Sequence, residues 1–433
     1  MFRTSAAALV AVAALVSAGC GGGSDTQDIL AAGGWPGVNS DARNSNTAEV
    51  DGPRAPALDW SRPIGGTVAT PTTISATGQA FVTSDTSAGC NLFSFQLDNG
   101  RKRFCNRLQP SAAFATPVAD AVANSYVGEA GAMNSYNDHG QPRWRTLVRG
   151  TPLGAQFTGD GRLLFVTQLG EVAVLELQTG RRVAAPFQLL GEPDPLTTPD
   201  VPLTPDDQGL GDCFAGGPAC PVANIPAIDL VSGRFYLTLW RPFSPTASVV
   251  AMTYTGGDSS SVRQEWSADM LIDGSATSPV LSADGTTLYV TDNVRRLIAL
   301  DTATGATKWF YDLGYNPVGT SSMTAEGLIV PGGGTADGHL LALRDSGDHA
   351  ELAWERTEVV QRGSPAQAAN GLGYTVVRGD GSDLDLLTFD AETGATIAQD
   401  VLPDARGLTV GTSLGPDGEV ATTTFIGELF VFK

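Results

Sequence analysis

The chain has 433 residues, with 26 Lys plus Arg against 46 Asp plus Glu and only three His, for a formal charge of −20. No basic run occurs in it, which argues against nucleic acid as a partner, and the scattered carboxylates read as a solvated, self-repelling surface. Length alone would allow two or three domains, yet repeats run without a linker-like break from about residue 57 to 433, so one large β domain is expected.

Residues 1–19 have the layout of an export signal: Arg3 gives a positive charge, residues 6–16 are Ala, Val and Leu, and Ser17-Ala18-Gly19-Cys20 follows. This stretch resembles the lipobox of bacterial lipoproteins, although Ser17 stands where Leu is usual. The resemblance implies that Cys20 is lipidated; the alternative is an ordinary secretory signal with an incidental Cys. Each buried methylene of an acyl chain contributes about 0.8 kcal/mol, so two or more chains anchor stably. Residues 20–34 then form a Gly-rich tether. With Gly rather than Asp at position 21, the expected site is the outer membrane, facing the periplasm, in a cell that has one, and otherwise the outer face of the cytoplasmic membrane.

From residue 57 onward the chain is read as short strands. The segment ALDWSRPI, 57–64, comes first. Eight hairpins follow, at Gly78, Asn124, Gly161, Gly233, Gly285, Gly327, Gly371 and Gly418, where Gly or Asn is expected to supply the positive φ of a tight turn between strands of Val, Tyr, Phe and Thr. About twenty residues after most of these hairpins a strand enters a turn and leaves towards an aromatic. The clearest case is LIALDTATGATKW, with the turn Asp301 to Gly305 and Trp309; the other turns end at Gly100, Gly140, Gly180, Gly347 and Gly394. A period of 40 to 50 residues without helical patterns predicts an all-β, eight-bladed propeller of four-stranded antiparallel blades. The last unit shows only three strands, so residues 57–64 are expected to pair with it and close the ring. Inner strands such as ATPTTIS, FATPVAD and ATSPVLS place small uncharged residues around the axis.

Apart from Cys20 there are four Cys, and an even number in an exported chain suggests disulfides. Locality favours Cys90 with Cys105 and Cys213 with Cys220 among three pairings. A zinc site is a poor competitor, since no paired C-x-x-C is present and the His, at 139, 339 and 349, are scattered. The insertion 191–222, rich in Pro and Asp, reads as a rigidified, acidic, exposed loop suited to recognition or merely decorating the scaffold.

The repeat LIALDTATGATKWFYDLG resembles that of the quinoprotein-type β-propellers, the PQQ-like repeat family of the PQQ-dependent dehydrogenases and the BamB group of envelope lipoproteins. GGWPGVNSDARNSNTAEVDGP, with Trp35, Asn46 and Thr47, is similar to that family's lead-in. The likeness spans about 35–433. It implies that Trp60, Trp144, Trp266, Trp309 and Trp354 dock between neighbouring blades, with Phe104 and Ile397 replacing Trp in two others. Quinoprotein enzymes of the family hold calcium by carboxylates and amides, use a catalytic Asp, and often carry a disulfide between adjacent Cys; no adjacent Cys pair occurs here, and no inner-strand set of acids stands out.

Other catalytic signals fail on context. Gly411 to Gly415 matches G-x-S-x-G, but a hairpin rather than a helix follows Ser413, and the third repeat reads Gly150-Thr151-Pro152-Leu153-Gly154 at the same place. Asp380, Asp383 and Asp385 suggest a calcium loop, yet its closing acid is missing and a solvated hairpin is the better reading. Gly332-Gly333-Gly334 lacks the Lys of a phosphate loop and reads as a turn. The resemblance thus implies a non-catalytic, monomeric, lipid-anchored propeller that binds an envelope protein by strand addition or loop contacts, without cofactor or metal. The alternative is an enzyme, a PQQ-dependent dehydrogenase or a carbohydrate-active propeller.

Overall fold

A computed structural model describes residues 33–87, 89–191, 209–324, 326–333 and 338–433. Cys20 and the export signal lie outside these residues. The described chain forms eight four-stranded antiparallel sheets. In chain order the inner strands of blades 1 to 8 are Thr73–Ile74, Val118–Ala119, Pro152–Phe157, Ala227–Ile228, Val280–Leu281, Ser322–Met323, Ala366–Gln367 and Thr409–Leu414. No helix among the described residues is long and apolar enough to cross a membrane.

Ring closure follows the expected route. Strand Leu58–Pro63 pairs antiparallel with Glu428–Phe432 and becomes the outer strand of blade 8. Ala57 and Lys433 exchange both backbone hydrogen bonds, at 2.8 and 3.0 Å, and Lys433 Nζ lies 2.9 Å from Asp59.

The turn motif owes its glycine to the blade before it. Outer-strand aromatics pack over the turn of the next blade, and a methyl carbon added to Gly100, Gly140, Gly180, Gly305 or Gly394 would lie 2.5 to 2.7 Å from the ring of Trp60, Phe104, Trp144, Trp266 or Trp354 respectively. These glycines also hold φ between +66° and +78°, a region that β-carbons disfavour. The indole N–H of Trp60, Trp144, Trp266 and Trp354 donates to the carbonyl three residues before that glycine, on Leu97, Leu177, Thr302 and Ala391, at 2.8 to 3.1 Å. Two residues beyond the aromatic, Arg62, Asn106, Thr146 and Arg356 donate to the glycine carbonyl itself. Within the turn, the Thr304 hydroxyl donates to Asp301 and holds that carboxyl below the ordinary aspartate range.

Three junctions depart from the rule. Trp309 donates to the Asp345 side chain at 2.8 Å, so Gly347 keeps open space around it. Ile397 packs against the cluster that spans blades 7 and 8. Blade 3 ends in the short strand Phe187–Gln188, and its contact with blade 4 is a mixed apolar cluster in which Val183, Phe187 and Leu189 pack with Phe235 and Tyr254. The hairpin of blade 2 corrects one expectation: Ala123, at φ +62°, takes the left-handed position rather than Asn124. Asp120 makes this tolerable by accepting from the backbone N–H of both Val122 and Asn124.

The lead-in residues have a larger role than the sequence indicates. Each inner strand turns one backbone edge to the axis, where its N–H groups need acceptors. The segment 35–48 curves around one end of the channel and supplies them. Ile74 donates to Trp35, Ala119 to Pro36, Ile228 to Ala42, Leu281 to Arg43, Met323 to Ser45 and Gln367 to Asn46, at 2.6 to 2.9 Å. Blade 3 joins through Gln156, whose amide donates to Asn44 Oδ1 at 2.9 Å. Buried Asn44 and Asn46 turn inward at φ +59° and +50° and donate to the carbonyls of Ile225 and Pro279, and of Thr320 and Ser321. This strap links blades 1 to 7.

Three outcomes follow for purified protein in chemical and thermal denaturation. Gly394→Ala meets both the left-handed strain of about 1 to 2 kcal/mol and overpacking against Trp354 of about 1 to 3 kcal/mol, whereas Gly347→Ala meets only the first; equal losses would refute the docking role. Asn44→Ala strands two buried carbonyls and should lower stability by about 2 to 4 kcal/mol. Deleting residues 57–64 should lower the melting temperature of the whole ring, and an unchanged transition would contradict closure by that strand.

Candidate functional site

The strap closes one end of the channel. The other end opens into a cavity of about 130 Å3 whose wall takes residues from all eight blades and whose floor is Val38 and Asn39 of the strap. This mouth lies on the face where the chain passes from one blade to the next and where second strands turn into third strands. The insertion between blades 3 and 4 emerges there.

Only residue 191 and residues 209–222 of that insertion are described, and they are not an exposed arm. Leu210, Cys213, Cys220 and Val222 are buried, because the short helix Leu210–Cys213 presents apolar side chains to Leu153, Ile225 and Val38. Cys213 and Cys220 form a disulfide, and Cys90 and Cys105 form a second one beside the third and outer strands of blade 1. Phe214 reaches across the mouth to Phe425 of blade 8, with ring centroids 5.5 Å apart. Asn293 fixes the loop from blade 5 by donating to Ala215 at 2.7 Å. The stapled insertion is thus a cap over part of the mouth.

Chemically the mouth is mild. Its described lining mixes aliphatic and aromatic surface from Phe114, Leu153, Ile225 and Leu408 with hydroxyl and amide groups, and Arg362 is the one ionisable side chain there outside the disulfide. The expectation of small, uncharged residues around the axis holds for Ala69, Thr70, Ser278 and Gly319 but not for Phe114, Phe214 or Arg362, which reach in from connections between blades. General acid–base work needs a proton donor and acceptor within hydrogen-bond reach of a substrate, and the described lining holds no carboxylate or imidazole. The tyrosines whose hydroxyls are pushed furthest above their ordinary value lie elsewhere. Burial dominates in each case: Tyr126 bonds Asp120, Tyr289 bonds Asp345, Tyr374 donates to Pro53, and Tyr315 is buried near Glu355.

The remaining sequence signals are structural. Ser413 is fully buried, and its Oγ donates to the Thr72 carbonyl at 2.7 Å, tying blade 8 to blade 1. Asp380 sits on the exposed turn between the second and third strands of blade 7, Asp383 begins the third strand, and Asp385 accepts from Gln399 at 2.6 Å. Among the described residues no group of three or more His, Cys, Asp or Glu could hold a metal ion. Gly332 and Gly333 press against the carbonyls of Gly319 and Gln361. Gly334 lies outside the described residues.

Pyrroloquinoline quinone, which PQQ-dependent dehydrogenases carry with a carboxylate-held metal ion, is itself a polyanionic tricycle. The described mouth residues do not fit it, having one guanidinium and no carboxylate to hold the metal.

Comparison with known proteins agrees with this architecture. Residues 247–424 match the family model described as outer membrane protein assembly factor BamB. Among solved structures, the quinohemoprotein alcohol dehydrogenase of Comamonas testosteroni superposes with a TM-score of 0.64 at 13% identity, over 92% of this chain and 80% of the other. BamB of Moraxella catarrhalis superposes with a TM-score of 0.55 at 14% identity, over 88% of this chain and all of the other. A europium-containing methanol dehydrogenase gives 0.60 at 15% identity, over 92% and 98%. At such identities these likenesses speak to the fold alone. Protein Rv3035 of Mycobacterium tuberculosis is closer, 39% identical over 419 residues, which is 96% of this chain and 99% of that protein. The chain belongs to the family of Protein Rv3035, within the BamB-like PQQ-repeat propellers.

Proposed function

We propose that this protein is a non-catalytic scaffold of the cell envelope, lipid-anchored at Cys20 and extracytoplasmic, that binds a protein partner through its mouth face. The observation that carries the reading is the described mouth itself, a capped, nearly uncharged opening without an acid–base pair, on a fold whose matching family model is described as an assembly factor. Two disulfides agree with an oxidising compartment.

The mouth face also carries a rigid apolar contact point. Phe243, in the turn between the second and third strands of blade 4, is 97% exposed and held at φ +64° between Pro242 and Pro245. Its turn is braced by Trp240 Nε1 donating to the Ser244 carbonyl at 3.0 Å and by Arg241 donating to Ser248. An exposed aromatic on a braced turn suits partner binding, since little conformational freedom is lost on contact.

The test uses intact cells. Photocrosslinking residues at Phe243, and at Val231 on the strap face as a control, should give a discrete protein adduct from the first position and none from the second, and Cys20→Ser should move the protein out of the membrane fraction. Dye reduction that requires added pyrroloquinoline quinone and calcium, with no adduct at Phe243, would overturn the scaffold reading in favour of a dehydrogenase.

A further inference from the structure

We propose that the strap face lies against the bilayer and that the mouth points away from it, so that the mouth receives its partner from the aqueous side. The inference rests on the lipid anchor at Cys20 and deepens the scaffold reading. Its first support is the place where the chain enters the ring. Gly33 is exposed, and the residues after it run directly into the strap. A β-carbon on Gly34 would lie 3.1 and 3.2 Å from the carbonyl oxygens of Ile74 and Ser75, and Trp35 exchanges both backbone hydrogen bonds with Ile74, at 2.8 and 2.9 Å. The entry therefore lies near the channel axis, at the end where first strands turn into second strands and opposite the mouth.

Length then selects the orientation. The stretch from Cys20 to Gly33 reaches at most about 45 Å when fully extended, and an unconstrained chain of that length averages about 20 Å. With the mouth against the bilayer, this stretch would first cross the width of a blade, about 15 Å for four strands. It would then descend the height of one, about 20 Å for the closing strand Leu58–Pro63 beside the entry, with turns and side chains adding to both. That path takes nearly the whole extended length and removes almost all of the chain's conformational freedom. With the strap face against the bilayer the same stretch has slack. Charge does not set the orientation, since a formal charge of −20 gives no attraction to anionic headgroups, and Asp229 and Asp284 stand on hairpins of this face. The face does carry bare apolar tips, Val122 and Val231 on the hairpins of blades 2 and 4, 67% and 97% exposed, which suit a neutral lipid interface better than water. The mouth face, with Phe243 and the capped cavity, is left to the aqueous side, where a soluble protein or the projecting part of an envelope protein reaches it.

The experiment places a fluorescence donor at either end of blade 4, by Val231→Cys or Phe243→Cys, in the lipidated protein reconstituted into phosphatidylcholine vesicles that contain an acceptor-labelled lipid. Cys90, Cys105, Cys213 and Cys220 are all in disulfides, so the unsubstituted chain gives the labelling background. Energy transfer from position 231 should exceed that from position 243 by about twofold or more, because a blade height of about 20 Å separates them. Inserting about 40 Gly and Ser residues after Ser24 should bring the two positions close to equal, because the average span of the tether then rises to about 40 Å. Equal transfer with the natural tether, stronger transfer from position 243, or a difference that survives the long insertion would each overturn the proposal. Flotation with the vesicles reports the anchor separately. A chain that floats but shows no difference keeps the anchor and loses the orientation, and a chain that does not float loses both.

Discussion

The ring depends on a contact in which something is missing: the β-carbon of a turn glycine, whose place is taken by an aromatic ring from the preceding blade. Trp60, Phe104, Trp144, Trp266 and Trp354 each settle onto such a glycine, and hydrogen bonds to the same turn lock the seat. Because the contact joins adjacent blades and repeats around the circle, blade orientation is set locally and closure follows. Where the contact is altered, a substitute appears. The junction of blades 5 and 6 uses the Asp345 carboxylate, and that of blades 3 and 4 uses a mixed apolar cluster.

This constraint also explains what was legible in the sequence. A glycine forced by both left-handed backbone and a neighbour's indole leaves a periodic mark, so blade number, strand order and the closing strand could all be read from residues 57–433. Blade 4 has no such mark, since its third and outer strands meet at Gly256-Gly257-Asp258, where no ring of the preceding blade sits on Gly257. The strap was not legible, because its partners are backbone groups on seven different strands and no spacing encodes them. The family resemblance drew attention to Trp35, Asn46 and Thr47 without indicating that Asn46 spans to blade 6 and Trp35 pairs with blade 1. The seat of residues 209–222 was not legible for a related reason. Asp and Pro dominate the insertion's composition, but Leu210, Phe214 and the disulfide decide where residues 209–222 sit.

The two ends of the channel divide the labour. One is sealed by backbone hydrogen bonds that leave no room for solvent chemistry, and the other is walled by residues from the connections between blades, the parts of a propeller that vary most freely without disturbing the sheets. The candidate site accordingly rests on side chains that the repeat pattern does not specify: Asn39, Phe114, Phe214 and Arg362. In this chain these positions are separate from the docking aromatics, so the scaffold and the mouth can vary independently.

The strap and the closing strand lie at the beginning of the chain, yet their partners are distributed over everything that follows. As the polypeptide emerges from the ribosome, the strap can dock blade by blade, but the closing strand Leu58–Pro63 must wait, unpaired, until blade 8 has been delivered. Sequence separations of more than 300 residues, as between Leu58 and Phe432, make this last step entropically slow. Newly made chains therefore pass through an open arc with a bare sheet edge at blade 8, a state in which chaperones, proteases and neighbouring chains all have access that the finished molecule denies them.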